Sequence, residues 1–176
     1  MVVFDTSILL LLLHPEAKQA IDPATGVAVE KAAERIKHLV DVLANAKEKI
    51  IIPTPVLSEL LVHAGEATNQ YLDVLNGQAV FRIAPFDQKA AIEAAIAMSE
   101  SLSKGGIRVD ATDPNVTRGK VKFDRQIVAI AKAEGARAVY SDDNDVVKYA
   151  QQAGLKAYRT IDLDLPPEDP QTSLDF

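Results

Sequence analysis

Short apolar runs punctuate this chain, and longer stretches with helical periodicity fill the spaces between them. Val2-Val3-Phe4 ends at Asp5 and reads as a buried strand. Thr6 or Ser7 opens a helix through Leu13, which stops at His14-Pro15 because a proline disfavours helical backbone in the residue before it. Residues 14–27 carry Pro15, Pro23 and Gly26 and read as a loop. From Ala28 to Lys49, Val29, Ala32, Ala33, Ile36, Leu39, Val40 and Leu43 share one helical face. Ile50-Ile51-Ile52 is a second buried strand, closed by Pro53.

Thr54-Pro55 opens the next helix, since proline is tolerated in a first turn, and it runs to the region of Gly65. A short helix follows over Ala67 to Leu75, then a strand over Val80 to Ile83. Asp87 to Ser103 is amphipathic, with Ile92, Ala95, Ile96, Ser99 and Leu102 along one side. Residues 104–122 contain Gly105-Gly106, Asp113-Pro114 and Gly119 and read as irregular. Phe123 to Glu134 is helical again, with Phe123, Ile127, Ile130 and Ala131 facing inward. Ala138-Val139-Tyr140 is a fourth strand, Asp145 to Ala153 a helix, and Leu155 to Tyr158 a last strand after Gly154. Strands alternating with helices argue for an α/β fold: a mainly parallel five-stranded sheet covered on both faces. The body spans residues 1–160, and the proline-rich acidic segment 161–176 reads as an extended tail.

Composition narrows the chemistry. Cysteine is absent, which excludes disulfides and thiolate chemistry, and the histidines His14, His38 and His63 are scattered, which argues against a histidine-rich zinc site. The run Ile8 to Leu13 is too short to span a bilayer and has no basic segment before it, so neither a membrane span nor a signal peptide is expected and the default location is the cytoplasm. The formal charge of −6 argues at first against a nucleic-acid partner. Five of the acids lie from residue 161 onward with no Lys or Arg among them, and without those five the charge is −1. Within the body lies a basic stretch of Lys104, Arg108, Arg118, Lys120, Lys122 and Arg125, and overall acidity is compatible with a basic face there.

The acids of the body fall at telling places. In an open parallel sheet, ligands bind beyond the carboxyl ends of the strands, where strand order reverses. Asp5 ends the first strand, Asp142 and Asp143 follow the fourth, Asp124 opens the helix before it, and Glu59 lies on the helix after the second strand. Asp5, Asp124 and Asp143 also stand where helix N-caps belong, and Asp is a favoured cap. Glu59 sits between Leu57 and Leu60-Leu61, at the edge of the apolar side of its helix, where a solvated position and a partnered carboxylate are both open readings. Carboxylates that crowd together raise each other's pKa, and a divalent cation resolves the conflict. Oxygen ligands without Cys or His suit Mg²⁺ or Mn²⁺.

Four segments carry a family resemblance: Val3-Phe4-Asp5-Thr6-Ser7; Pro55-Val56-Leu57-Ser58-Glu59-Leu60; Phe123-Asp124-Arg125-Gln126-Ile127-Val128-Ala129-Ile130-Ala131; and Val139-Tyr140-Ser141-Asp142-Asp143-Asn144-Asp145. In that order they resemble the PIN-domain family, especially the VapC-like toxins of toxin–antitoxin pairs. The resemblance spans residues 1–158. It implies a PIN-like three-layer α/β/α fold with a five-stranded parallel sheet. The activity it implies is that of a metal-dependent endoribonuclease, which uses a metal-activated water and leaves 5′-phosphate and 3′-hydroxyl ends. Carried over by position, Asp5, Glu59 and Asp124 match the first three acids and Asp143 the fourth, with Asp142 as the alternative metal ligand. Ser141 stands where the family usually has Thr. Thr6 or Ser7 would support Asp5 by hydrogen bonding. Arg118, Lys120, Lys122 and Arg125 would meet phosphates of RNA, or of DNA. A small antitoxin and a homodimer are the partners implied, the latter also from leucines at Leu9 to Leu13 and Leu60-Leu61 that look exposed.

The tail adds one more resemblance. Gln171, Leu174 and Phe176 match the anchors of the short peptide by which bacterial replication and repair proteins dock on the sliding clamp. That contact would favour DNA over RNA, and a PIN protein acting on DNA, or a non-catalytic scaffold for nucleic-acid processing, is the alternative reading. Other α/β classes fit less well. A haloacid-dehalogenase-type phosphatase wants a second Asp two residues after the first, where Ser7 stands; a phospho-receiver wants an acidic pair early; and neither GxxxxGK[ST] nor GxGxxG occurs.

Overall fold

The computed structural model of the chain describes residues 1–14, 16–103 and 118–167. Among these residues are five strands: β1 (Val2–Phe4), β2 (Ile50–Pro53), β3 (Phe81–Ala84), β4 (Ala138–Tyr140) and β5 (Lys156–Tyr158). Seven α-helices accompany them among the described residues: α1 (Thr6–Leu13), α2 (Ala32–Asn45), α3 (Thr54–Ala64), α4 (Thr68–Gly77), α5 (Gln88–Ser103), α6 (Arg118–Ala133) and α7 (Asn144–Gln152). No described helix is long and apolar enough to cross a membrane.

The sheet is parallel throughout, in the order β3-β2-β1-β4-β5. β1, β2 and β4 have no polar interruption, and Val2, Val3, Phe4, Ile50, Ile51, Ile52, Ala138 and Val139 are all fully buried. A strand covered on both faces has no solvent side to alternate with, which is why these segments read as unbroken apolar runs. Right-handed crossovers put the helices that lead to β2 and β3 on one face and those that lead to β4 and β5 on the other. Accordingly α1 packs on α2 and α3, and α3 on α4, while α6 packs on α5 and α7.

Several boundaries differ from the periodicity. α2 starts at Ala32, not Ala28, because Ala28 bridges Ile21 and the Val29 N–H donates to the Ala20 carbonyl, so local pairing takes the first residues of the apolar pattern. α6 starts at Arg118, inside the stretch expected to be irregular. Phe123, expected to face inward, is 51 % exposed. On α5 only Ala90 is buried, and Ile92, Ile96 and Leu102 lie largely exposed. The leucines that looked exposed are core or packed against it: Leu9 and Leu60 are fully buried, and Leu10 to Leu13 and Leu61 are partly so. Packing continues past β5 through a single 3-10 turn, Thr160–Asp162, with Thr160 and Leu163 buried and the Leu163 carbonyl accepting from Arg35.

A candidate metal centre at the switch point

The chain runs outward from β1 to β2 to β3, then returns to place β4 on the other side of β1. Strand order therefore reverses between β1 and β4, and the crevice beyond their carboxyl ends is where a parallel sheet of this kind binds ligands. Phe4, Tyr140 and Tyr158 stand in register at the last positions of β1, β4 and β5. Phe4 meets Tyr140 edge to face with centroids 5.5 Å apart, and Tyr140 stacks on Tyr158 at 5.3 Å. The residue after each strand is polar: Asp5, Ser141 and Arg159.

Asp5 is 4 % exposed. It occupies the N-cap position of α1 but makes no side-chain cap bond. Its Oδ2 instead accepts from Ser141 Oγ at 2.7 Å and from Ser7 Oγ at 3.1 Å. Burial pushes its pKa above the ordinary carboxylate value; the Ser141 and Ser7 hydroxyls and the Thr6 amide pull it back, while the nearby Asp143 pushes it up. Ser141 Oγ in turn accepts from the Asp143 N–H at 3.0 Å, and Ser7 Oγ accepts from the Asp142 N–H at 3.0 Å. Two hydroxyls thus tie the end of β1 to the loop after β4, across more than a hundred residues of chain.

Asp124, Asp143 and Asp145 each offer an oxygen, and these atoms lie within 4.8 Å of one another. Asp124 is not a cap, because α6 begins at Arg118 and carries it in the second turn, buried against the sheet. Asp143 is the N-cap of α7, with Oδ1 accepting from the Asp145 N–H at 2.8 Å. That bond sets the two carboxylates side by side. Ionised together at this spacing, the three would repel by about 3 kcal/mol per pair at an effective dielectric of about 20. The donor set is oxygen throughout, which fits Mg²⁺ or Mn²⁺ and does not favour zinc or copper.

Glu59 is exposed on α3, and its Oε2 accepts from the buried Thr6 Oγ1 at 2.6 Å. Thr6 follows Asp5 directly, so this bond tethers Glu59 to the same rim. Asp142 turns away: its Oδ1 accepts from the Thr160 N–H at 2.9 Å and its Oδ2 from Thr160 Oγ1 at 2.6 Å. Between the two acids after β4, Asp143 stands with Asp124 and Asp142 does not. Asp145 was not singled out from the sequence. The signal was the Asp143-Asn144-Asp145 spacing, which puts one acid at a cap and the second in the first turn of the same helix.

Of the basic residues, Lys122 is exposed and Arg125 lies over the Tyr149 ring, 5.1 Å from its centroid, where α6 meets α7. Arg118 and Lys120 belong to α6, but their side chains lie outside the described part, as do Lys104 and Arg108 and the tail anchors Gln171, Leu174 and Phe176.

Against known proteins, no family model matches this sequence and no curated protein matches it. Solved structures do. FitAB bound to an IR36 DNA fragment superposes with a TM-score of 0.59 at 16 % identity, covering 93 % of this chain and 98 % of that one. VapBC2 from Rickettsia felis, bound to a promoter DNA fragment, gives 0.57 at 17 % identity over 90 % of this chain and 98 % of that one. DNA-bound VapBC from Salmonella typhimurium gives 0.51 at 18 % identity over 90 % of this chain and 97 % of that one. This chain has the PIN-like fold of VapC proteins. At these identities the likeness carries the architecture, and the chemistry has to be argued from the rim itself.

Proposed function

We propose that this protein is a metal-dependent nuclease of the PIN type, an endoribonuclease that hydrolyses phosphodiester bonds as VapC-like toxins do. The observation that carries the reading is the convergence of Asp124, Asp143 and Asp145 within 4.8 Å, at the switch point of a PIN-like sheet and beside the buried Asp5. Asp124, Asp143 and Asp145 are the residues that would hold Mg²⁺ or Mn²⁺, with Asp5 and Glu59 completing the acidic rim. A divalent cation bound there supplies an acidified water and neutralises charge on a phosphate.

The chain's own residues do the rest. Ser141 and Ser7 fix the direction of the Asp5 carboxylate, and Thr6 fixes that of Glu59. The Asp143 cap holds that side chain against rotation. Carboxylates fixed in this way would hold a cation without rearranging, and a cation held in place is what would stabilise charge developing on a bound phosphate. Lys122 and Arg125 lie on the same helix as Asp124 and in this reading would meet the backbone of a substrate strand, so that binding would weaken with salt. A small antitoxin protein as partner belongs to the same reading.

The test is incubation of purified protein with single-stranded and structured RNA and DNA, in Mg²⁺, Mn²⁺ or EDTA, beside Asp5→Asn and Asp124→Asn. Metal-dependent cleavage of RNA that both variants lose supports the reading. Cleavage that persists in both variants, or none by folded native protein that binds metal, overturns it; preferential cleavage of DNA keeps the nuclease and changes the polymer.

A further inference from the structure

The loop after β4 is held from two sides. On the β1 side, Ser7 at the start of α1 accepts from the Asp142 N–H, and Ser141 of the loop itself donates to the Asp5 carboxylate. From β5, Thr160 donates both its amide and its hydroxyl to the two oxygens of Asp142, at 2.9 and 2.6 Å. Arg159 adds a bond to the Asp142 carbonyl at 2.9 Å and another to Asn144 Oδ1 at 2.7 Å. Thr160 is fully buried, and the turn it opens is closed by the Arg159 N–H on Asp162 Oδ2 at 2.8 Å and packed down by Leu163. Each oxygen of the Asp142 carboxylate is thus engaged by a buried threonine, and Asp142 does not stand in the group formed by Asp124, Asp143 and Asp145. Its position is nevertheless decisive, because Asp143 follows it directly and Asp145 lies two residues further on, in the first turn of α7.

We propose that Asp142 is a positioning residue: clamped by Thr160, it fixes the loop so that Asp143 and Asp145 meet Asp124. The clamp acts through hydrogen bonds, not through charge at the metal. It makes the segment after β5 part of the centre. The inference rests on the metal-centre reading of Asp124, Asp143 and Asp145. Groups that orient metal ligands from outside the coordination sphere typically change affinity by about 10–100-fold when removed.

The experiment measures Mn²⁺ affinity by calorimetry on the full chain, with a thermal melt of every variant. Asp142→Asn keeps a carbonyl for the Thr160 amide, and its new NH₂ can donate to the Thr160 hydroxyl, so it removes the charge and preserves the clamp. Asp142→Ala removes the clamp. Thr160→Val removes one of its two bonds without touching any acid. The expected result is Mn²⁺ affinity close to native in Asp142→Asn and about 10-fold weaker in Asp142→Ala, with an intermediate loss in Thr160→Val. The double variant Asp142→Ala/Thr160→Val should be no weaker than Asp142→Ala alone, since both cut the same link. If Asp142→Asn loses Mn²⁺ as Asp124→Asn does, Asp142 is a ligand and the proposal is wrong. Native affinity in folded Asp142→Ala and Thr160→Val also overturns it, and leaves the metal centre standing. Absence of Mn²⁺ binding by the native chain removes the centre and the clamp's role together.

Discussion

Replacing Ser141 by Ala tests whether one buried hydroxyl holds the rim together. Ser141 is fully buried at the carboxyl end of β4, donating to Asp5 Oδ2 at 2.7 Å and accepting from the Asp143 N–H at 3.0 Å. A hydrogen bond to an ionised group contributes about 1.5–3 kcal/mol, and a buried donor left without its acceptor costs about 1–3 kcal/mol. Both losses follow from removing one atom and partly overlap, so the expected destabilisation is about 3 kcal/mol. For a chain of this size that lowers Tm by about 6–12 °C. The pH dependence follows from Asp5. Burial raises its pKa and the Ser141 bond lowers it, so the bond favours the ionised form. A contact of that kind stabilises at pH values where the carboxylate is charged and is lost as pH falls through the folded pKa. The penalty of Ser141→Ala is therefore largest at pH 7 and shrinks on acidification toward the carboxylate range. Thermal melts by circular dichroism in EDTA, at pH 7 and in mild acid, measure it, with Ser141→Thr as the variant that keeps the hydroxyl. A metal-free Ser141→Ala protein that melts within about 2 °C of native at pH 7 would refute the reasoning.

Three further outcomes follow from the same geometry. Asp5→Asn in metal-free protein should raise Tm at neutral pH: a carboxyl whose folded pKa is raised gives stability at low pH that is lost as pH rises through it, and Asn removes that loss, so the gain should fade in acid; a lower Tm at pH 7 would contradict it. Asp143→Asn keeps a favoured N-cap and should fold with a Tm near native, whereas it and Asp145→Asn should each lower Mn²⁺ affinity by about 10-fold or more, read by calorimetry. At the opposite end of the sheet, Arg137 above all, with the N-terminal amine, holds the Glu48 carboxyl at about 2. Because that pKa is depressed, Glu48→Gln should cost about 1 kcal/mol above the ordinary carboxyl range, with the difference disappearing as pH falls toward about 2; this half-exposed pair warrants no larger figure, and pH-dependent melts of both proteins would show it.

Local pattern and tertiary arrangement divide this protein between them. The strands were legible because a strand buried on both faces must be apolar at every position, and Val2-Val3-Phe4, Ile50-Ile51-Ile52 and Ala138-Val139-Tyr140 allow little else. Alternation with helices then led to the parallel sheet, and the position of Asp5 after β1 marked the rim before any coordinate did. Periodicity failed where neighbours compete for the same residues: pairing at Ala28 delays α2, and Phe123 lies on a helix that begins at Arg118, so its phase against the sheet could not be read from position 123 onward. The same early start takes Asp124 from a cap to the second turn of α6. Which acids stand together was decided only in three dimensions. Asp142 and Asp143 are equivalent as letters in a sequence, but Thr160, eighteen residues away, binds the first and leaves the second beside Asp124 and Asp145. Composition and spacing can place carboxylates at the ends of strands; only strand order and the direction of each side chain bring residues from β1, α6 and the β4–α7 loop to one point.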